Sequence, residues 1–184
     1  MEDDFAYELK IPEERVAVLI GKDGETKKEI EESTKCSLNI TKDGDVTIAG
    51  NDGVILYVTR EIVKAIARGF NPKVALQLLK TDYSLELIDM KDIAGKNQNT
   101  MQRLKGRVIG KGGKSRGEIE RLTDTHISVY GKTIGIIGDL QHVALAREAI
   151  VMLLSGSMHK TVYHFLEKKK KEVMFGEVTG FDKR

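Results

Sequence analysis

Apolar positions along this chain fall into short runs whose spacing changes from piece to piece, and each change marks an element. Phe5, Tyr7, Leu9 and Ile11 alternate with other residues, the period-two pattern of a half-buried strand. Pro12 sits where a first helical turn tolerates it, Glu13 and Glu14 suit the positive end, and a short helix over 15–20 stops at Gly21. A second helix is expected over 25–34, with Thr26 and Glu29 spaced as a capping box. Strands at 38–40 and 45–49 follow, joined through Lys42, Asp43 and Gly44. A longer helix over 53–68 carries Val54, Val58, Ile62, Ala65 and Ile66 on one face. Residues 72–80, with Val74, Leu76, Leu78 and Leu79 apolar, read as a packed helical connector.

The order strand, helix, helix, strand, strand, helix then recurs. Ile20-Gly21-Lys22-Asp23-Gly24 matches Ile109-Gly110-Lys111-Gly112-Gly113 eighty-nine positions on, and the register holds for Glu29 with Glu118, Ile30 with Ile119, Thr34 with Thr123, Leu38 with Ile127 and Ile40 with Val129. After a one-residue deletion it pairs Val46 with Ile134, Ile48 with Ile136 and Gly50 with Gly138. Two domains of one design are expected. In the second copy the strands fall at 84–89, 127–130 and 133–137, with Gly131 and Lys132 between the last two, and the closing helix at 139–154. Ser115 and Glu118 offer its capping box. Twenty-two positions separate Ile88 from Gly110, against ten between Ile11 and Gly21, so the second copy holds an extra polar piece, with Asn99 and Gln102 as a candidate cap.

Beyond Gly156, where Ser157 can cap, Met158, Val162, Phe165 and Leu166 form a helical stripe that either packs on its own domain or presents a partner surface. Lys168 to Lys171 suit a helix C-terminus, as a solvated end or a further contact, and the tail beyond Val173 is expected to be mobile.

The glycine-framed loops carry the candidate chemistry. Glycine permits positive φ and close backbone approach, and amides at a helix N-terminus favour phosphate. Net charge is only +2, but its distribution is uneven: Arg103, Lys105, Arg107, Lys111, Lys114 and Arg116 occur with no intervening acid, whereas Glu14, Asp23 and Glu25 offset Arg15, Lys22 and Lys27. Gly113-Lys114-Ser115 imitates the end of a phosphate-binding P-loop, yet Val108 stands where that loop requires glycine. His126, His142, His159 and His164 lack metal-ligand spacing, and no catalytic constellation, metal site or cofactor motif is found. Cys36, the one cysteine, reads as a small packing residue in a reducing compartment. No apolar run approaches the ~20 residues of a membrane span. The acidic N-terminus lacks signal-peptide character, so a cytoplasmic protein is expected.

Both loops, with their flanking apolar residues, resemble the KH domain, a single-stranded nucleic-acid-binding module whose GxxG loop clamps the backbone of roughly four nucleotides. With this element order, the resemblance implies an α+β fold of two tandem type I KH domains, each a three-stranded sheet packed against three helices, plus an additional C-terminal helix. The expected divisions are 1–71, a connector over 72–83, 84–155, and a helix and tail over 156–184. The resemblance implies RNA-backbone contact at Gly110, Lys111, Gly112, Gly113, Lys114 and Arg116, within a basic stretch that includes Arg103 and Arg107. Ile109, Ile119 and Ile127 then form the apolar groove or the core beneath it, and bases meet main-chain groups near Ser128 and Val129. In the first copy Gly21, Lys22, Asp23, Gly24 and Lys27 hold the matching places, with the Asp23 carboxylate repelling phosphate.

The segments 85–96, the second loop with its helix, and 155–166 resemble the archaeal branch of the partner-of-Nob, or Dim-two, family of small-subunit assembly factors. That resemblance implies binding of single-stranded RNA near the 3′ end of the small-subunit rRNA, contact with the Nob endonuclease and pre-ribosomal particles, and no enzymatic activity. The extra piece of the second copy is then either a surface loop or an RNA or protein contact. Two alternatives stand beside this one: a KH adaptor presenting RNA to a degradative exonuclease complex, and a KH-fold protein-interaction scaffold.

Overall fold

The computed structural model describes residues 5–95 and 97–179. The chain divides into two compact units within a strand, between Leu85 and Glu86. In the first, β1 (Phe5–Lys10), α1 (Glu13–Ile20), α2 (Glu25–Thr34), β2 (Ser37–Ile40), β3 (Asp45–Gly50), α3 (Gly53–Ala67) and the short α4 (Pro72–Ala75) follow in order. The sheet is antiparallel in the order β1-β3-β2, with Tyr7 and Leu38 both opposite Ile48. Leu19, Ile30, Leu38, Ile48, Leu56, Ile62 and Ile66 are buried between sheet and helices. Each such side chain contributes about 1.5–3 kcal/mol.

β1 is less buried than its alternation predicts. Ile11 is 2% exposed, but Phe5 is 54% and Tyr7 38% exposed. β1 is an edge strand, and the Tyr7 ring carries the Arg60 guanidinium 5.4 Å from its centroid. The connector forms α4 and a 3-10 turn, Leu76–Leu79, with Ala75 and Leu78 buried. Asn71 caps α4 by accepting from the Lys73 amide at 2.9 Å.

β4 (Tyr83–Asp89) is the strand in which the division falls, and the second unit continues with α5 (Lys91–Ala94), α6 (Gln98–Ile109), α7 (Lys114–Thr123), β5 (His126–Tyr130), β6 (Thr133–Asp139), α8 (Leu140–Leu154) and α9 (His159–Thr179), with sheet order β4-β6-β5. The extra piece folds into α5 and a longer α6. Asn97 caps α6 by accepting from the Thr100 amide at 3.0 Å, two residues ahead of the cap the sequence suggests. The expected capping boxes are absent from α2 and α7: both helices leave their glycine loops directly, through Gly24 and Gly113 in left-handed conformation, with no side-chain cap. Thr26 and Ser115 already lie inside the first turn.

Val162 and Leu166 of α9 are fully buried in the core of this unit, and Phe165 packs against it. Met158 departs from the stripe: it precedes the helix and is 71% exposed. α9 continues past Val173 to Thr179, where the sequence suggests a mobile tail; Lys and Glu from 167 to 172 are strong helix formers. The expectations for residues 1–4 and 180–184 lie outside the described residues. No helix among the described residues is long and apolar enough to cross a membrane.

Candidate nucleic-acid interface

α6 ends where Gly110 turns to φ 72°, ψ 173°, a region essentially confined to glycine. A Cβ there would lie 2.7 Å from the Ser115 amide nitrogen, so the residue that breaks the helix also allows α7 to fold back against it. Gly112 (φ 60°) and Gly113 (φ 78°) complete the turn, and the Gly113 amide donates to Gly110 O at 3.2 Å. Ser115 is buried beneath Gly110, its Oγ without a hydrogen-bond partner. The Lys114 amide donates to Lys111 O, and no side chain caps the amides that follow it, so the positive end of α7 lies at the loop. Lys111 and Lys114, both exposed, flank the loop.

The first unit repeats this backbone closely: Gly21 has φ 76°, ψ 174°, Asp23 φ 53°, ψ 24°, and Gly24 φ 81°, ψ 10°. Asp is among the residues that tolerate this left-handed position. The two loops thus differ in chemistry and not in shape, because Asp23 puts a carboxylate where Gly112 puts none. Lys22 is exposed beside it.

One wall of each groove is the free edge of a strand. The Ile127 amide donates to Glu120 Oε1 at 2.7 Å, so it points out of the sheet. Alternation then turns Val129 outward and sets Ser128, opposite Gly135, into the β5–β6 ladder. Of the two residues expected to offer main-chain groups to bases, Val129 is the one placed to do so; Ser128 is corrected. Ile119 and Ile127 belong to the core, while half-buried Ile109 borders the loop.

Glu120 also pairs with Arg116 at 3.7 Å, and Glu31 pairs with Lys27 at 3.9 Å. Arg116 and Lys27 therefore support the edge glutamates as well as facing solvent. Nearby, Arg121 hydrogen-bonds Glu118 and holds that carboxyl below its ordinary range. Arg103 is exposed two turns before the loop. Arg107 requires a correction. Its Nε donates to Leu153 O at 2.9 Å and its terminal nitrogen to Ser157 O, so it ties α6 to the end of α8. In the first unit Arg15, from a non-equivalent position, reaches Ile66 O (2.8 Å) and Phe70 O (2.9 Å) at the end of α3.

Sequence reasoning missed the edge glutamates, although the repeat register aligns Glu31 with Glu120 and Leu38 with Ile127. It also missed His159, whose Nε2 lies 2.8 Å from Arg107 O. Nothing in the local pattern marks that contact. Among the described residues no three His, Cys, Asp or Glu side chains gather as a metal site.

Residues 84–171 match a family described as a eukaryotic-type KH domain (KH-domain type I), the second KH domain of PNO1, and residues 6–64 match the KH domain. A KH domain-containing protein of Methanocaldococcus jannaschii is 49% identical over 169 residues, covering 90% of this chain and 74% of its own. The pre-rRNA-processing protein PNO1 of Debaryomyces hansenii is 38% identical over 104 residues, covering 56% of this chain and 41% of its own length. The chain is also similar to one in the crystal structure of the a/eIF2alpha–aDim2p–rRNA complex from Pyrococcus horikoshii OT3, with TM-score 0.86, 41% identity, and coverage of 92% of this chain and 96% of that one. With the glycine loops and the type I element order present in both units, the chain belongs to the PNO1/Dim2 family of KH-domain proteins.

Proposed function

We propose that this protein is an RNA-binding factor of small ribosomal subunit biogenesis that holds an unpaired segment near the 3′ end of the small-subunit rRNA. The observation that carries the reading is the second loop: three glycines in positive φ, uncapped helix amides behind them, and Lys111 and Lys114 at its rim with no acid between Arg103 and Arg116. Its similarity to a chain of an aDim2p–rRNA complex supports the choice of RNA, and the pre-rRNA-processing relatives favour this reading over the exonuclease adaptor. Phosphates meet the exposed tip of the loop at Gly112 and the two lysine heads. Bases lie toward Ile109 and the outward main chain of Val129. The first unit, with Asp23 at its tip, contributes less affinity.

The protein binds without cutting, and acts in the cytoplasm beside a separate endonuclease of the Nob type on pre-ribosomal particles. A KH groove takes splayed bases, which an A-form duplex does not offer. The test is to measure binding at fixed salt to the 3′-terminal RNA, to the same segment annealed to its complement, and to an unrelated single strand of equal length. Tight binding to the first, much weaker binding to the others and no cleavage are expected. Preference for the duplex contradicts the reading.

A further inference from the structure

α6 is twelve residues long where its counterpart α1 has eight. The added turn overhangs the end of the groove. Together with the β5–β6 turn it walls a cleft of about 200 Å³, lined by Asn97, Gln98, Met101, Gln102, Lys105 and the turn residues Gly131 and Lys132. Gln98, Met101, Gln102 and Lys105 follow i, i+3, i+4, i+7 and so share one helix face. Pro12 begins α1 directly after the first strand, and the first unit has no such overhang.

The position of the cleft follows from the edge strand. Val129 turns its main chain outward, and the chain reaches Gly131 two residues later, so the groove beside β5 runs into the cleft. At 1.5 Å per residue, Gln98 stands ~18 Å along α6 from Gly110. The four residues by which α6 exceeds α1 add ~6 Å to that wall, so a strand clamped at the loop and lying along β5 meets them past the roughly four nucleotides that a KH groove holds.

Its lining suits one planar heterocycle. Met101, 7% exposed, gives a polarizable apolar surface. The carboxamides of Gln98 and Gln102 are exposed and each offers donors and an acceptor. The side-chain oxygen of exposed Asn97 accepts from the Thr100 amide at 3.0 Å, so the donor left on that side chain is its NH₂ group. Lys105 and Lys132 supply charge, and no acid lines the cleft. The main-chain oxygen of Lys132 already accepts from the Met90 amide at 2.9 Å, which fixes the turn. The volume is below the about 300 Å³ at which pockets for larger organic ligands begin.

We infer that this cleft is a subsite for one further nucleobase of the strand clamped by the second loop, its face on Met101, its edge read by Gln98 and Gln102, and its phosphate beside Lys105. The inference rests on the RNA-binding reading above. The experiment uses the full chain and nested strands of the 3′-terminal RNA, from about four to about eight nucleotides. It compares the unaltered protein with a Gln98→Ala/Gln102→Ala variant, and repeats the critical length with an abasic sugar at the added position. One lengthening step is expected to tighten binding about tenfold, the scale of one bidentate pairing between a side-chain amide and a base edge. The variant and the abasic strand lose that step, while the variant binds the shortest strand as the unaltered protein does. A step that survives in the variant or with the abasic sugar overturns the subsite, as does an equal loss at every length. A shortest strand that binds, with no later step, sinks the subsite alone. Failure of the unaltered protein to bind any of the strands sinks the RNA reading and the subsite with it.

Discussion

Glu120 accepts the amide of Ile127 at 2.7 Å, and Glu31 accepts the amide of Leu38 at the same 2.7 Å eighty-nine positions earlier. Each carboxylate also pairs with a cation four residues before it, Arg116 or Lys27. The second helix of each unit is thereby fastened to the edge strand that borders its groove. Removing the acceptor exposes the cost: Glu120→Ala leaves the Ile127 amide to find water, a loss of about 1–3 kcal/mol when it cannot. Glu120 is partly exposed, so the low end, ~1 kcal/mol, is expected. Glu120→Gln keeps an acceptor and most of the stability. Amide hydrogen exchange at Ile127 is the direct measurement; unchanged exchange in Glu120→Ala contradicts the fastening.

The glycines of the second loop are not equivalent. Alanine at Gly110 meets a backbone at 2.7 Å and a glycine-only φ, ψ region, whereas alanine at Gly112 or Gly113 meets open space and only the strain of positive φ. Gly112→Ala should cost about 1–2 kcal/mol. Gly110→Ala should exceed that and separate α7 from α6. Denaturant midpoints of the two variants decide it, and equal midpoints would contradict the packing argument.

Much of this is legible in the sequence because it is local. Strand alternation, helix periodicity and glycine at the turns locate the elements, and the repeat shows that they occur twice. The capping boxes mislead because Thr26 and Ser115 have the right spacing but fall inside a helix that the preceding glycine turn has already begun. Ser128 is mistaken for an edge donor because a strand pattern gives a face but not which amides leave the ladder. Arg107 groups with the loop cations by sequence proximity; its partners lie 46 and 50 residues away, and no spacing rule reaches that far. The α6 overhang is visible in the sequence only as extra length.

The two loops should separate by charge. Lys111→Asp with Gly112→Asp places an acidic pair at the second tip; Lys22→Asp, beside Asp23, places one at the first. The former is expected to weaken single-strand RNA binding far more than the latter. Neutralising Lys111 or Lys114 singly should also flatten the dependence of log affinity on log salt by about 0.7 for each phosphate no longer neutralised. Equal losses from the two acidic pairs would show that both units bind RNA alike.

Arg107 distinguishes a structural cation from a binding one. Its side chain donates to Leu153 O and Ser157 O, and its own carbonyl accepts from His159, so it fastens the end of α8 and the start of α9 to α6. Hydrogen bonds from a charged donor are worth about 1.5–3 kcal/mol each, and lysine cannot reproduce the forked pair. Arg107→Ala and Arg107→Lys should therefore both destabilise the second unit by about 2–4 kcal/mol, less than the full sum because the site is half-buried. At a temperature where the variants remain folded, the salt dependence of RNA binding should match that of the unaltered protein, whereas Lys111→Ala flattens it. A flattened slope in Arg107→Lys, which keeps the charge, would mean that the guanidinium geometry and not the cation meets phosphate. A flattened slope in Arg107→Ala alone, without loss of stability, would return Arg107 to the interface.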